Sequence, residues 1–173
     1  MNIKFITVQE VEYIAVSLAQ EWMTFNEPIP HHSTRFPNRL ESCILTPQQS
    51  FGGEGLYKGL VGKASVLFYL MNKNHPFQNG NKQIAMTSFM LLLYKNNCWI
   101  KVDNKDLYEF AMWVVQSPKE AKNETVKAIE KFIGKYLIKI PTRIEDLKSE
   151  NEEQMKRNAE QEAYRRAKKE INK

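Results

Sequence analysis

At 173 residues, 42% of them hydrophobic and 26% charged, the chain is long enough for one buried core and an appendage. Its net charge of +5 is diffuse, with ten Lys/Arg against eight Asp/Glu in residues 139–173 and no basic block interleaved with aromatics, so no nucleic-acid partner is expected. Two cysteines exclude a disulfide framework; no apolar run reaches the roughly 20 residues of a bilayer span, and residues 1–6 lack a signal-peptide core, so a cytoplasmic protein with no membrane partner is expected.

In chain order the pattern is mostly helical. Thr7-Val8-Gln9-Glu10 has capping-box form, and Val11, Ile14, Ala15, Leu18 and Trp22 follow at helical spacing. Pro28 and Pro30 break that pattern, and residues 31–37 read as a loop. The adjacent His31 and His32 lack metal-ligand spacing and companions, and read as surface residues. A short helix over residues 40–45 ends at Thr46-Pro47, because the residue before proline avoids the helical region. The glycines of residues 52–55 predict a flexible flap. A helix over residues 57–74 follows, with Leu60, Ala64, Leu67, Phe68 and Met71 facing inward, and delivers His75 at its end.

The next helix, residues 81–97, is apolar nearly all round and so should be buried. Residues 98–102 predict a short strand or extended link, with Cys98 a packed thiol. Asp103 or Asn104 caps a helix bearing Leu107, Phe110, Ala111 and Val114 on one face. Ser117-Pro118-Lys119-Glu120 opens another, which buries Val126, Ile129, Phe132, Ile133 and Tyr136. Trp22, Trp99 and Trp113 sit on apolar faces and are expected in the core. From Thr142 onward 17 of 32 residues are charged, without a sustained heptad. Pairs such as Glu152–Lys156 and Glu162–Arg166 point to a solvated, partly frayed helix. The expected division is a domain over residues 1–138 and a charged tail, helical or partly disordered, over residues 139–173.

Residues 75–83, His-Pro-Phe-Gln-Asn-Gly-Asn-Lys-Gln, are the densest in chemistry. They set an imidazole, a glycine turn and the positive end of a buried helix within nine residues. Backbone N–H groups at such a helix start can hold an anion beside the imidazole. An imidazole ordinarily changes charge near neutral pH, which suits it to proton transfer. Gly80 permits close backbone approach to a phosphate, and Gly80, Asn81 and Lys82 offer successive N–H groups.

This stretch resembles the signature of the Fic/Doc proteins: His-Pro-Phe, any residue, Asp or Glu, Gly-Asn, Gly or Lys, Arg. Lys82 after Gly80-Asn81 resembles the Doc (death-on-curing) branch. Leu40-Glu41-Ser42, Pro47-Gln48-Gln49, Phe51-Gly52-Gly53-Glu54 and Leu56-Tyr57 upstream, and Leu107-Tyr108-Glu109-Phe110 with Trp113-Val114 downstream, extend the resemblance over most of residues 1–138. The implied fold is an all-α Fic/Doc-type helical domain with a short β-flap before the motif helix and a charged C-terminal helical tail. The implied activity is a toxin-type transfer of a phosphoryl group, with AMP transfer second, from ATP to a hydroxyl of a target protein.

In that reading His75 is catalytic, and Gly80, Asn81, Lys82 and Gln83 face the nucleotide phosphates. Phe77 pins the loop. Gly52, Gly53, Leu56 and Tyr57 form a target-docking flap, or else a plain connector. An antitoxin chain is an implied partner. Two positions depart from the pattern. Asn79 replaces the carboxylate that holds Mg²⁺, so Mg²⁺ binding is weakened. Gln83 replaces the arginine that grips phosphate oxygens bidentately. These leave open a degenerate relative that binds nucleotide or a protein partner without turnover, or an adaptor domain. The inhibitory Ser/Thr-x-x-x-Glu-Gly/Asn helix of many Fic proteins is not matched, because Gln154 follows Glu153.

Overall fold

A computed structural model of the protein describes residues 3–22, 29, 31–141, 155 and 157. At its centre two neighbouring apolar helices, α4 (Gly59–Lys73) and α5 (Asn81–Lys95), pack on one another. The expected inward stripe of α4 is too narrow. Every residue from Ala64 to Lys73 is buried, since α3 (Pro37–Leu45), α5, α6 (Asn104–Gln116) and α7 (Lys122–Tyr136) all lean on it. Leu60, expected inside, is only half-buried. Leu67, Met71, Ile84, Leu92 and Leu93 are the largest fully buried side chains of the pair, and Phe68 meets Phe89 at 5.4 Å between ring centroids. Such packing fixes both helix ends that flank residues 74–80.

The N-terminal helix begins as its sequence predicts. Thr7 and Glu10 form a reciprocal capping box at α1 (Val8–Glu10). The helix then widens into a π-helical turn over Val11–Ala15 before continuing as α2 (Val16–Trp22). This widening moves the buried face to Val11, Glu12, Ala15, Val16 and Ala19, and leaves Ile14 and Leu18 exposed, against the 3.6-residue expectation. The Thr87 hydroxyl of α5 donates to the Ala15 carbonyl at 2.8 Å. Buried Glu12 pairs with Arg35. The side chain of Trp22, and Pro28 with Pro30, lie outside the described residues.

Lys95 of α5 donates to both oxygens of Glu10, at 2.5 and 2.7 Å. Burial by itself raises the Glu10 carboxyl, but the Lys95 ammonium and the Thr7 backbone N–H together hold it below its ordinary 4.5. A carboxyl so depressed stabilises the fold above its ordinary value, and that contribution is lost as pH falls through the lowered one. Glu10→Gln keeps the capping geometry and removes the charge. It should therefore lower the melting temperature at pH 7, with the gap to wild type closing as pH falls through the lowered value, as thermal melts across pH will read.

α3 runs as expected to Leu45, and a 3₁₀ turn over Thr46–Gln48 follows. Two short antiparallel strands, β1 (Ser50–Phe51) and β2 (Glu54–Gly55), form the flap. Gly52 and Gly53 both take positive φ (60° and 83°), as a two-residue hairpin turn of the primed type requires. Beyond α5, β3 (Cys98–Ile100) pairs antiparallel with β4 (Leu137–Lys139). That second strand continues from α7, where the sequence suggested only a helix end. The Ser117 hydroxyl donates backward to the Val114 carbonyl, closing α6 instead of capping the next helix. α7 consequently starts later than expected, after a 3₁₀ turn over Lys119–Ala121.

Trp99 and Trp113 are 38% and 45% exposed, so neither belongs to the core. Trp113 instead flanks Phe110, which stacks on Phe132 at 3.8 Å. The mostly helical architecture with a β-flap thus agrees with the expected fold class. One compact unit extends to Lys139, and a second comprises Ile140–Lys173. In the second unit Met155 and Arg157 have helical backbone and exposed side chains, while the tail's expected charge pairs lie outside the described residues. Among the described residues no helix is long and apolar enough to cross a membrane.

Candidate functional site

Residues 74–80 are held from several sides. Asn74 ends α4 with its N–H on the Leu70 carbonyl at 2.9 Å. His75 then enters the left-handed region (φ 46°), which is costly for a residue with a Cβ and persists only where its surroundings dictate it. Here the Phe36 N–H donates to the Pro76 carbonyl at 2.8 Å, and the Asn74 amide to Cys43 Sγ at 3.6 Å. Burial pushes the Cys43 thiol up to about 11, so the sulfur stays a neutral acceptor. Phe77 is 1% exposed and anchors the loop in the core. The Asn81 side chain clasps the Phe77 backbone, accepting from its N–H and donating to its carbonyl, both at 2.8 Å.

Gly80 is the N-cap of α5, at φ 71° and with no side-chain hydrogen bond. A Cβ placed there would lie 3.2 Å from Ile29 Cγ1 and 3.3 Å from Cγ2, so both backbone and space select glycine. Gly80→Ala should cost about 1–3 kcal/mol in urea unfolding, through an αL penalty plus the Ile29 clash. Gly80 brings no capping group and Asn81 turns its amide back to Phe77, so neither side chain caps the first turn of α5. The helix dipole adds positive potential at the same place.

His75 is exposed and lines two grooves. The larger, about 770 Å³, has one wall made of Asn79, Gly80, Asn81, Lys82 and Gln83 and the other made of α6, including Tyr108 and Met112. Lys82 is half-buried across this groove. Its ammonium lies 4.8 Å from the centre of the Tyr108 ring and 3.2 Å from Met112 Sδ. The charge is thus inside the groove and not free in solvent. The smaller groove, about 420 Å³, is basic, with Arg39, Lys73 and Lys119 around Asn74 and His75. Lys73 is buried and donates to the carbonyls of Val115 (2.7 Å) and Ser117 (2.5 Å). Burial, then nearby Lys119, lowers its pKa.

Five of the residues singled out in the sequence, His75, Gly80, Asn81, Lys82 and Gln83, therefore share one groove, together with Asn79. The flap residues Gly52, Gly53, Leu56 and Tyr57 line neither groove. Sequence reading gave no site role to Arg39, Lys73 or the α6 wall; Tyr108 entered only within the downstream segment that resembles the family. The larger groove is lined, among the described residues, by amide side chains, including those of Gln78, Asn79 and Asn104, and by no carboxylate. Among the described residues no cluster of three His, Cys, Asp or Glu could hold a metal. These donors do not fit a protein-held Mg²⁺, which prefers one or two carboxylates with the phosphates.

A model of the Fic/DOC family matches residues 5–93, just over half of the chain. The chain belongs to the Fic/DOC family. The matched segment takes in the first helix, the flap, α4, the motif and most of α5. The α6 wall of the Fic/DOC groove lies beyond it. Membership suggests a transferase in general, acting by transfer of AMP or phosphate. No curated protein and no solved structure matches the chain.

Proposed function

We propose that this Fic/DOC protein is a Doc-like transferase that moves the γ-phosphoryl group of ATP to a hydroxyl of a target protein. The observation that carries this reading is His75 at the rim of the groove into which the uncapped N-terminus of α5 opens. The N–H groups of Asn81, Lys82 and Gln83 hold the phosphoryl oxygens, and the Lys82 ammonium adds charge from the opposite wall. The imidazole of His75 takes the proton of the acceptor hydroxyl as its oxygen bonds to the γ-phosphorus. The bond between that phosphorus and the bridging oxygen breaks, and ADP leaves. Lysine at position 82, the Doc form of the motif, supports γ transfer over AMP transfer, in which attack falls on the α-phosphorus and pyrophosphate leaves.

The flap, with Phe51 83% exposed and Leu56 54% exposed, offers an edge on which a target segment adds as a strand. A toxin of this kind works in the cytoplasm, restrained by an antitoxin chain. A second reading, nucleotide binding without turnover, is favoured by one observation: the groove has amides at Asn79 and Gln83, and no carboxylate among its described residues. Incubation with ATP, Mg²⁺ and cell lysate separates the two. Label from the γ position, absent with His75→Ala, supports the transferase. Label from the α position moves the reading to AMP transfer. Saturable binding with no label supports the second reading.

A further inference from the structure

We infer that Asn72 reads the base of the bound nucleotide and selects one that presents an amine, adenine above all. The inference rests on the nucleotide reading above and names a specificity residue in the same groove. Asn72 lies on α4 one turn before His75, is 2% exposed, and lines the larger groove. Its side-chain nitrogen donates to the Phe68 carbonyl at 2.8 Å. That bond fixes the amide, since the flipped form would set oxygen against oxygen. The other end, Oδ1, is buried and has no hydrogen-bond partner among the described residues. A buried amide carbonyl without a partner is destabilising, and native proteins seldom keep one without a use.

The surroundings define what would satisfy it. Met86, Met90, Leu107, Ala111 and Val115 line the same groove and offer apolar side chains only. With phosphates at the start of α5, a nucleotide has its ring system left for this apolar part. The thioethers of Met86 and Met90 adapt to a flat heterocycle. Asn72 Oδ1 in the company of these apolar side chains suits adenine, whose exocyclic amine donates to it and whose base carries no ring N–H in the nucleotide. Guanine puts a carbonyl where adenine has its amine and adds a ring N–H and an amine at C2, and these apolar side chains would leave most of them unpaired. A purine with no amine leaves Asn72 Oδ1 as unsatisfied as before.

Calorimetric titration of the full chain with ATP, purine riboside 5′-triphosphate (ATP without the amine), GTP and inorganic tripolyphosphate tests this. Wild-type protein should bind ATP about tenfold tighter than the other two nucleotides. Asn72→Leu should erase that preference and leave tripolyphosphate affinity unchanged. Equal affinity of wild type for ATP and purine riboside triphosphate overturns the inference, as does GTP binding as tightly as ATP, or a preference that survives Asn72→Leu. These results leave the phosphate site standing. Failure of wild type to bind any nucleotide removes the nucleotide reading and the inference together. Should Asn72→Leu not fold, the wild-type comparison alone decides.

Discussion

Alanine in place of His75 is expected to lower γ-phosphoryl transfer by about 10²–10⁴-fold while leaving the affinity for ATP close to that of wild type. The split follows from where the residue sits. Its imidazole is exposed at the rim of two grooves, so its removal opens no cavity in the core. The backbone around it is held by Phe36 on Pro76, by buried Phe77 and by the Asn81 clasp, none of which needs the ring. Alanine meets the same left-handed backbone cost that histidine already bears, so stability should change little. The phosphate site proposed above uses backbone N–H groups, which the substitution leaves in place. Single-turnover rates and equilibrium binding measured on the same preparations read the two effects separately. A variant that keeps the wild-type rate, or loses binding and rate together, would remove His75 from the proton-transfer role.

The second large effect is a gain. Asn79→Asp with Gln83→Arg should tighten Mg²⁺–ATP binding by about 10²–10⁴-fold, since each restored charged contact is worth about 1.5–3 kcal/mol and about 1.4 kcal/mol is a factor of ten. Both positions line the larger groove, Asn79 exposed and Gln83 half-buried, so both have room for the longer or charged side chain. The Gln83→Arg change adds a charged planar fork for phosphate oxygens where the amide offers only neutral N–H donors. The Asn79→Asp change supplies a carboxylate where the described groove-lining residues have none, and so a charged ligand for the ion that accompanies the phosphates. Titration with and without Mg²⁺ checks each half: the gain from Asn79→Asp should vanish without the ion, and that from Gln83→Arg should persist. No gain in either would mean that the phosphates do not lie beside these positions.

Much of this was legible from residue order alone. The capping box at Thr7 and Glu10, the Gly52-Gly53 hairpin and the buried α5 helix depend on local chemistry, and local chemistry is written in consecutive residues. What stayed hidden depends on partners distant in sequence. β4 is only three residues long and exists because β3 lies beside it. The π turn at Val11–Ala15 redirected the buried face of the first helix, and no periodicity reports such a widening in advance. In the site, His75 and the Gly80 turn were visible as a contiguous motif. The α6 wall and Asn72 in the larger groove, and Arg39 in the smaller, were not, because each comes from a helix other than α5. Asn72 reads in sequence as one polar residue at the end of an apolar run, and only its unmatched oxygen sets it apart.

The amides at the start of α5 offer the most direct test of the whole account. ATP titrated into ¹⁵N-labelled protein should move the resonances of Gly80, Asn81, Lys82 and Gln83 furthest, saturably, with inorganic tripolyphosphate moving the same set. Saturable shifts elsewhere with these four amides still, or no shift at millimolar ATP, would contradict it.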